Sequence, residues 1–553
     1  MTLPQAIALH QAGRLDEAAT LYREILRADP DHPDARNNLG LLAHRRHRLQ
    51  EAEAHFRQVL ARHPDHQGAT LNLANLLAEQ RHHAQAEERF RAAIAIRPDF
   101  VQAHHNLSIL LQKQKRYREA EPPCRQALRL QPDHVEALNN LGIILKNLHR
   151  HPEAETAYRQ ALRLAPEHVE VLSNLGVLLY ARRRFQDAEA LYRQALARQP
   201  DHVTTLYNLG IVLWEQKRFP EAVDAYRRTL DLQPDHADAQ WNLSLLFLVL
   251  GRFPEAWPLF EARTHPNISE TNSFTIEAGF PRWRGEDLTG RSLLIVPEQG
   301  YGDQIQFCRF AALLKDKGAA KISLACKPPL WSLFQSLTGV ELLWAQEDPR
   351  AYPPHDFWTL PLSLPLHLNT TLQTLPAKLP YLRPPTERIS HWATRITGNG
   401  YRVGLVWKGN PGFNNDTRRS LPGLPQMAPW WEIPGVIFFS LQKGNGEAEA
   451  RHPPLRQPIH HCADEIRDFA DTAAIIHALD LVISCDTAVA HLAGAMGKPC
   501  WVLLPARGTD WRWLHEREDS PWYPGVMRLF RQTTPGDWSG VVRRVVAALQ
   551  RRD

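Results

Sequence analysis

The stretch that decides the fold of the N-terminal half is PDHVEALNNLGIILKNLHRHPEAETAYRQALRLA, residues 132–165. A proline followed by an acidic residue begins this stretch, and the same dipeptide stands at a fixed spacing of 34 residues along the chain. The prolines of these dipeptides are Pro30, Pro64, Pro98, Pro132, Pro166, Pro200 and Pro234. A constant period of this length indicates internal repeats.

Two further landmarks keep the same phase as the prolines. The first is an Asn-Leu pair followed by a small residue, and its asparagines are Asn38, Asn72, Asn106, Asn140, Asn174, Asn208 and Asn242. The second is an alanine followed four residues later by an aromatic residue, a pattern that only Cys124 breaks. Each unit therefore predicts two amphipathic helices that approach closely at small residues such as Gly40 and Ala52. The proline ends the second helix because it has no N–H donor.

These landmarks resemble those of the tetratricopeptide repeat family. One helix pair cannot bury its own apolar face, so the units are expected to stack into an α-solenoid, a superhelix over residues 1–272. We expect seven full units between about residue 35 and residue 272, with a truncated unit over residues 3–34 before them. A histidine recurs after the Pro-Asp dipeptide, and we interpret it as part of the turn between units.

The pattern changes after about His265. Short apolar runs predict buried strands of a parallel sheet at 292–296, 321–326, 402–407, 436–441, 481–484 and 501–504. Helical stretches are predicted between them at 304–317, 387–398, 468–478 and 488–496. Alternating strands and helices indicate an α/β architecture.

A proline-rich connection over residues 375–385 divides this half in two. We therefore predict two Rossmann-like lobes, residues 283–385 and 386–553. Ligands of such sheets bind at the carboxyl ends of the strands, so a cleft is expected between the two lobes.

Composition excludes little. The 553 residues carry a formal charge of +5, an excess too small to predict binding to nucleic acid. No apolar run approaches the roughly 20 residues that span a bilayer, and the N-terminus lacks the pattern of a secretory signal. The six cysteines contain no Cys-x-x-Cys pair, so we expect buried thiols in a reducing compartment and a cytoplasmic location.

The first candidate motif is Pro297-Glu298-Gln299-Gly300-Tyr301-Gly302-Asp303, between a predicted strand and a predicted helix. Gly300 and Gly302 are expected to allow a positive φ and a close approach of the backbone to a ligand. Asp303 would face the cleft as a functional carboxylate. The alternative is a plain strand–helix turn in which Asp303 caps the helix.

The second motif covers residues 484–495, SCDTAVAHLAGA, again after a predicted strand. The N–H groups that begin a helix, together with its dipole, make a site for a diphosphate. The candidate ligands there are Asp486, Thr487, Ala488, Val489 and His491. The alternative is that Asp486 and Thr487 only cap the helix and that His491 is a packed core histidine.

Two basic segments follow other predicted strands. Lys408 and Asn410 stand in Trp407–Pro411, and Arg418 and Arg419 follow within residues 414–420. Their cations could neutralise a diphosphate, although a solvated basic loop would look the same. Gln442 and Lys443, after the strand at 436–441, are weaker candidates for lining a nucleotide pocket.

In their order, these motifs make residues 292–549 resemble the lipopolysaccharide heptosyltransferase family, which has the two-lobed GT-B glycosyltransferase fold. The resemblance implies that Asp303 is the general base and that the motif at 486–491 and a nearby basic loop hold a nucleotide-sugar. Which of Lys408, Arg418 and Arg419 faces the diphosphate is left open. Tyr301 and the preceding Glu298-Gln299 depart from what that family needs.

The repeats fused to such a half resemble the layout of the O-linked N-acetylglucosamine transferases. In that family a ladder of asparagines holds the substrate polypeptide, which the resemblance implies for the seven asparagines quoted above. Each amide can donate to and accept from a peptide backbone. The alternative is that these asparagines serve packing or local hydrogen bonds.

The leading hypothesis is a metal-independent, inverting glycosyltransferase that uses a nucleotide-sugar as co-substrate and needs no cofactor. The repeats would recruit a protein acceptor. Two alternatives stay open: a protein-binding scaffold whose C-terminal half is a degenerate nucleotide-binding relic, and a transferase that acts on a glycan or lipid-linked acceptor.

Overall fold

The structure is a computed structural model that describes residues 2–266, 268, 279–346, 348–413 and 415–552. The chain forms two compact units, Met1–Gln233 and Pro234–Asp553. Within the described ranges, every helix is too short or too polar to traverse a bilayer. All six cysteines are buried and free, as the sequence predicts.

The first unit is built from helix pairs that follow the 34-residue period. Over residues 2–233 the helices are α1 (Leu3–Gln11), α2 (Leu15–Ala28), α3 (Pro33–Arg45), α4 (Leu49–Arg62), α5 (Gln67–Glu79), α6 (His83–Ile96), α7 (Val101–Lys113), α8 (Tyr117–Leu130), α9 (Val135–Asn147), α10 (His151–Leu164), α11 (Val169–Ala181), α12 (Phe185–Arg198), α13 (Val203–Glu215) and α14 (Phe219–Leu232). The solenoid of stacked pairs is thus confirmed, and α1, with 9 residues, is shorter than the other odd-numbered helices of this unit, which have 13.

The small residues of the repeat let the two helices of a pair touch. A Cβ atom added to Gly210 of α13 would lie 2.6 Å from Cε1 of Tyr226 on α14, a ring that is fully buried. The recurrent histidine belongs to the turn between units, as predicted. The imidazoles of His32 and His66 accept hydrogen bonds from Ala35 and Ala69 and so cap α3 and α5.

The second unit opens with one more helix pair, followed by strands and short helices. Its described helices are α15 (Ala237–Val249), α16 (Phe253–Phe260), α17 (Tyr301–Phe307), α18 (Phe310–Asp316), α19 (Trp331–Phe334), α20 (Leu364–His367), α21 (Thr386–Ala393), α22 (Asp416–Arg419), α23 (Glu447–Arg451), α24 (Phe469–Ala478), α25 (Ala488–Ala495) and α26 (Trp538–Arg551). Short 3-10 turns lie at Glu261–Thr264, Pro328–Leu330, Pro349–Ala351, Pro361–Ser363, Leu424–Glu432 and Trp511–Trp513.

The second helix of the last pair is shorter than its equivalents in the first unit. Helix α16 has 8 residues and contains Pro258 near its end, which has no N–H to continue the helix. The predicted end at residue 272 lies outside the described residues. By its packing, the pair α15–α16 belongs to the second unit rather than to the first.

The described strands of the second unit form two all-parallel sheets. They are β1 (Ser292–Ile295), β2 (Lys321–Cys326), β3 (Glu341–Trp344), β4 (Phe357–Thr359), β5 (Tyr401–Val406), β6 (Val436–Ser440), β7 (His460–His461), β8 (Leu481–Cys485), β9 (Cys500–Leu504) and β10 (Met527–Arg531). The orders are β3-β2-β1-β4 and β10-β9-β8-β5-β6-β7. The α/β prediction is confirmed at this level.

The sequence missed four strands, β3, β4, β7 and β10, and all four are sheet edges. An edge strand is not buried on both sides, so it needs no continuous apolar run. The arginines of Met527–Arg531 interrupt such a run, and the apolar part of Glu341–Trp344 is only three residues long. Strands β4 and β7 have only three and two residues. The predicted helix at 304–317 is broken into α17 and α18, and the one at 387–398 ends at Ala393.

Candidate functional site

A cavity of about 1010 Å³ lies in the second unit, where residues that follow strands of both sheets meet. The lining segments come after β1, β2, β5, β6, β7, β8 and β9, each beyond the strand's carboxyl end. Thirteen of the predicted site residues line it: Gly300, Gly302, Asp303, Lys408, Asn410, Arg419, Gln442, Lys443, Asp486, Thr487, Ala488, Val489 and His491. Carboxyl ends of parallel strands are the usual ligand edge of such sheets.

Asp303 is held at the start of α17. Its Oδ2 accepts a hydrogen bond from the Gly300 N–H at 2.9 Å, and its Oδ1 pairs with the guanidinium of Arg512. The carboxylate is 16% exposed. Burial raises the pKa of Asp303 above its ordinary value, against the opposing effect of Arg512. The carboxyl group is therefore more basic than a surface aspartate, which suits a proton acceptor.

The glycines near Asp303 act differently from the prediction. Gly300 has an extended backbone (φ −88°, ψ 178°), and the left-handed residue of the loop is Gln299, with φ 58°. The expected positive φ at the glycines is therefore wrong. Gly302 is needed for packing, because a Cβ there would lie 2.9 Å from Cδ2 of His491 on α25. The backbone at Gly302 therefore approaches α25, the helix that follows β8 of the second sheet, rather than a ligand.

The N-terminus of α25 faces the cavity without a side-chain cap. Thr487 is the N-cap residue, but its side chain makes no cap bond, and its hydroxyl oxygen lies 2.9 Å from that of Ser484. The expected cap by Thr487 is wrong. Thr487, Ala488 and Val489 are partly exposed and line the cavity. The backbone N–H groups at the helix start are thus available to an anion.

Asp486 is a second buried carboxyl group at this edge. Burial and the neighbouring carboxylate of Asp510 raise the pKa of Asp486, while Arg419 acts in the opposite direction. The site therefore holds several acidic groups close to two arginines, Arg419 and Arg512. Its charge balance depends on these cations.

His491 is a packed core histidine, which is one of the two roles that the sequence left open. It is 6% exposed and stacks on Trp513 with 5.2 Å between ring centroids. Its Nδ1 lies 2.9 Å from the Tyr523 hydroxyl oxygen. Burial and the nearby Arg512 and Arg309 hold the pKa of His491 well below its ordinary value. The imidazole is neutral at pH 7 and contributes shape and a neutral polar edge to the cavity.

The structure distinguishes the three basic candidates. Arg419 lines the cavity, donates to Asp416 at 3.2 Å and lies over the ring of Phe413. Arg418 is exposed and does not line the cavity. Lys408 lines it, but its ammonium group is paired with Glu449. Both lining cations are paired, Arg419 with Asp416 and Lys408 with Glu449, so the structure sets aside only Arg418.

The three remaining predicted ligands hold the loops in place. The Gln442 amide accepts from the Trp407 and Lys408 N–H groups, each at 3.0 Å, and donates to two carbonyl oxygens of the same region. The Lys443 ammonium donates to the Ala463 and Ile466 carbonyls at 2.8 and 2.7 Å. The Asn410 side chain accepts from Gly412 N–H at 2.9 Å and so closes a turn.

Sequence reasoning missed Arg512, which pairs with two carboxylates of the site. Its guanidinium pairs with Asp303 and with Asp510, the latter at 2.9 Å, and donates to Gln306 at 2.5 Å. It lies on the turn Trp511–Trp513 that follows β9. The available signal was position, because a polar Asp-Trp-Arg-Trp segment beyond a buried strand follows the same rule as the other motifs.

The asparagines of the repeats are half-buried or buried in helix-pair stacks. Asn72 donates to Asn37 at 3.0 Å, Asn174 donates to Asn139 at 3.0 Å, and Asn106 donates to Asn75 at 2.9 Å. These bonds join successive repeats, which is the structural role that the sequence left open. Each of these bonds uses one N–H of the donor amide, and the peptide-binding role of the ladder stays a prediction.

One group of potential metal ligands is present among the described residues: Glu447, His461 and Asp464. It does not line the cavity. Arg451 already pairs with Glu447 and Asp464. The guanidinium therefore supplies the positive charge that these carboxylates need.

Two family models match the repeats. The sequence model of the cilia and flagella-associated protein 70 C-terminal domain matches residues 31–243, and that of the tetratricopeptide repeat matches residues 5–42. Protein FlbA of Caulobacter vibrioides is 31% identical over 318 residues, which are 53% of this chain and 52% of FlbA. The chain thus spans about half the length of this curated relative.

Solved structures resemble the chain more distantly. The pilF structure of Pseudomonas aeruginosa is 23% identical, covers 38% of this chain and 95% of its own, and has a TM-score of 0.35. The Cut9–Hcn1 hetero-tetramer of the APC/C is 19% identical, with coverages of 48% and 52% and a TM-score of 0.39. The 34-residue period, the helix pairs and the two matching models together identify the N-terminal half of this chain as a run of tetratricopeptide repeats.

Proposed function

We propose that the protein is a glycosyltransferase with a two-lobed GT-B catalytic half, which transfers a sugar from a nucleotide-sugar to an acceptor recruited by the repeats. One observation carries the proposal. A single cavity between two parallel sheets combines a buried carboxylate, Asp303, with the uncapped N-terminus of α25. A base and an anion site in one cleft are what such a transfer needs.

In the proposed reaction, the acceptor's oxygen or nitrogen atom attacks the anomeric carbon of the sugar, and Asp303 takes the proton that this atom loses. The new bond forms as the bond between that carbon and the diphosphate oxygen breaks. The bonding electrons leave with the nucleoside diphosphate. The raised pKa of Asp303, caused by burial, makes it a stronger base than a surface aspartate. Attack opposite to the leaving group inverts the anomeric centre.

The leaving diphosphate would be held without a metal ion. The N–H groups of Ala488 and Val489 and the positive end of α25 are suited to its negative charge. Arg419 lines the same cavity and acts electrostatically on Asp486, next to the start of α25. Electrostatic stabilisation of this kind acts where charge develops during the reaction.

A thermal-shift screen with nucleoside diphosphates, followed by a transfer assay, tests the proposal. A ligand that binds only the folded state raises the melting temperature. We expect Asp303→Asn to keep this shift and to lose transfer. Asp537→Asn is the control, because Asp537 caps α26 and does not line the cavity. Full transfer activity of Asp303→Asn would remove the residue from the role of base.

The same screen and transfer assay also distinguish the glycosyltransferase from the scaffold hypothesis. Binding of nucleotides without transfer to any acceptor would favour a degenerate nucleotide-binding half. No binding at all would leave the repeats as the functional part of the chain.

The role of the asparagine ladder has a matched pair of variants. Asn174→Ala and Asn139→Ala both remove the hydrogen bond between Asn174 and Asn139. Only the first removes a ladder amide. If the ladder binds an acceptor polypeptide, Asn174→Ala weakens transfer to that protein and Asn139→Ala does not. Equal effects of the two variants would favour the purely structural role of these asparagines.

A further inference from the structure

The last helix pair of the repeats is packed into the α/β unit at the turn that carries Arg512. Three aromatic side chains of α16 surround Trp511, with ring centroids at 6.4 Å for Phe253, 5.7 Å for Trp257 and 5.9 Å for Phe260. The carbonyl oxygen of Val249, at the end of α15, accepts from the His515 N–H at 2.9 Å. Trp511 is 6% exposed.

The same helix pair also holds the loop that carries Asp303. Arg263, in the turn directly after α16, forms a buried ion pair with Glu298 at 3.2 Å, and their side chains are 4% and 2% exposed. Glu298 also accepts from the Leu362 N–H at 2.8 Å. It precedes Asp303 by five residues and belongs to the segment that departs from the heptosyltransferase pattern.

We propose that the helix pair α15–α16 and its following turn form a brace that positions both members of the Asp303–Arg512 pair. Arg263 holds the loop of Asp303 through Glu298, and the aromatic residues of α16 hold the turn of Arg512 through Trp511. Glu298, Arg263 and Trp511 are positioning residues, because none of them lines the cavity. This inference rests on the proposed function, because the catalytic role of the Asp303–Arg512 pair is part of that proposal.

The physical reason is that Asp303 and Arg512 belong to different sheets. Asp303 follows β1 and Arg512 follows β9, so neither sheet alone sets the distance between them. A third rigid element that contacts both loops removes this freedom, as is needed when a carboxylate must hold one orientation. The charged groups that face Asp303 are Arg512 and Asp510, both on the braced turn.

The first test is the pH dependence of kcat/KM in the full-length chain. In Trp511→Leu the guanidinium of Arg512 no longer favours the charged form of Asp303, so the acidic limb of the profile moves to higher pH. Trp511→Phe keeps an aromatic ring in the cluster and restores the wild-type limb. The control is Trp430→Leu, because Trp430 is fully buried in the core of the second sheet and does not line the cavity.

A profile of Trp511→Leu that matches that of Trp430→Leu would overturn the proposal, since only general stability would then be lost. A second measurement does not depend on activity. The melting temperatures of Trp511→Leu, Asp303→Asn and the double variant form a cycle. The brace predicts shifts that do not add, because Trp511→Leu has already separated Asp303 from Arg512. Additive shifts overturn it even if the wild-type chain shows no transfer, in which case the proposed function fails separately.

Discussion

Removal of the Arg512 guanidinium is the sharpest test of the charge balance in the cavity. The side chain of Arg512 is 6% exposed and pairs with Asp303 and Asp510, which are 16% and 31% exposed. Removing one partner of a buried ion pair leaves an uncompensated charge and lowers the free energy of unfolding by about 3–5 kcal/mol. At pH 7 the free energy of unfolding of Arg512→Met is expected to fall by this amount. The unpaired charge of Asp510 contributes the smaller part of the fall, because Asp510 is more exposed.

The loss is expected to depend on pH. Without the guanidinium, the pKa of Asp303 in the folded state rises further above the unfolded value of about 3.9. The loss in the free energy of unfolding is largest above the raised folded-state pKa. It shrinks as the pH falls from that pKa towards the unfolded-state value, because the carboxyl group becomes neutral. Arg512→Met should therefore be closer to the wild type at pH 5 than at pH 7.

Urea unfolding followed by tryptophan fluorescence measures this directly. Of the 16 tryptophans, only Trp214 precedes residue 234, so the signal reports on the second unit. Arg512→Lys keeps a cation without the planar fork and should lose less than Arg512→Met. A deficit of Arg512→Met that is below about 1 kcal/mol at pH 7, or that is equal at both pH values, would refute the argument that Arg512 neutralises buried carboxylates.

Three further predictions follow from individual contacts. Gly210→Ala should lower the free energy of unfolding by about 1–3 kcal/mol in circular dichroism melts, because the new Cβ would overlap the Tyr226 ring; a gain of about 1 kcal/mol from helix propensity would contradict it. Burial lowers the pKa of His105 to about 4, so its neutral form stabilises the fold above pH 6.5 and this contribution is lost as the pH falls towards 4. His105→Gln should thus reduce the fall in melting temperature between pH 7 and pH 5, and an unchanged fall would count against it. Arg419→Met should weaken the binding of a nucleoside diphosphate about tenfold or more in calorimetry, because its planar guanidinium can bind the diphosphate while it stays paired with Asp416. Lys408→Met removes a point charge that Glu449 already pairs and should weaken binding less; the reverse order would exclude Arg419 as the main cation.

The sequence alone determined the features that repeat or that are buried on both faces. The 34-residue period specifies helix pairs because the contacts that join the two helices lie within one unit. The contact between Gly210 and Tyr226 and its equivalents in other units are examples. The central strands were predicted because burial on two sides demands an unbroken apolar run. Asp303 and most residues at 486–491 line the cavity because each segment follows the carboxyl end of a strand in a parallel sheet, a position that the sequence pattern predicts.

Only the tertiary structure decided the edge strands, the partner of Asp303 and the division of the chain. Edge strands are defined by a neighbour on one side, and Arg512 meets Asp303 across 209 residues of sequence. The helix pair α15–α16 has the sequence of a repeat, yet its aromatic residues pack with Trp511 in the second unit. Such contacts depend on side chains brought together by the fold, and no local pattern records which distant group a given side chain will meet.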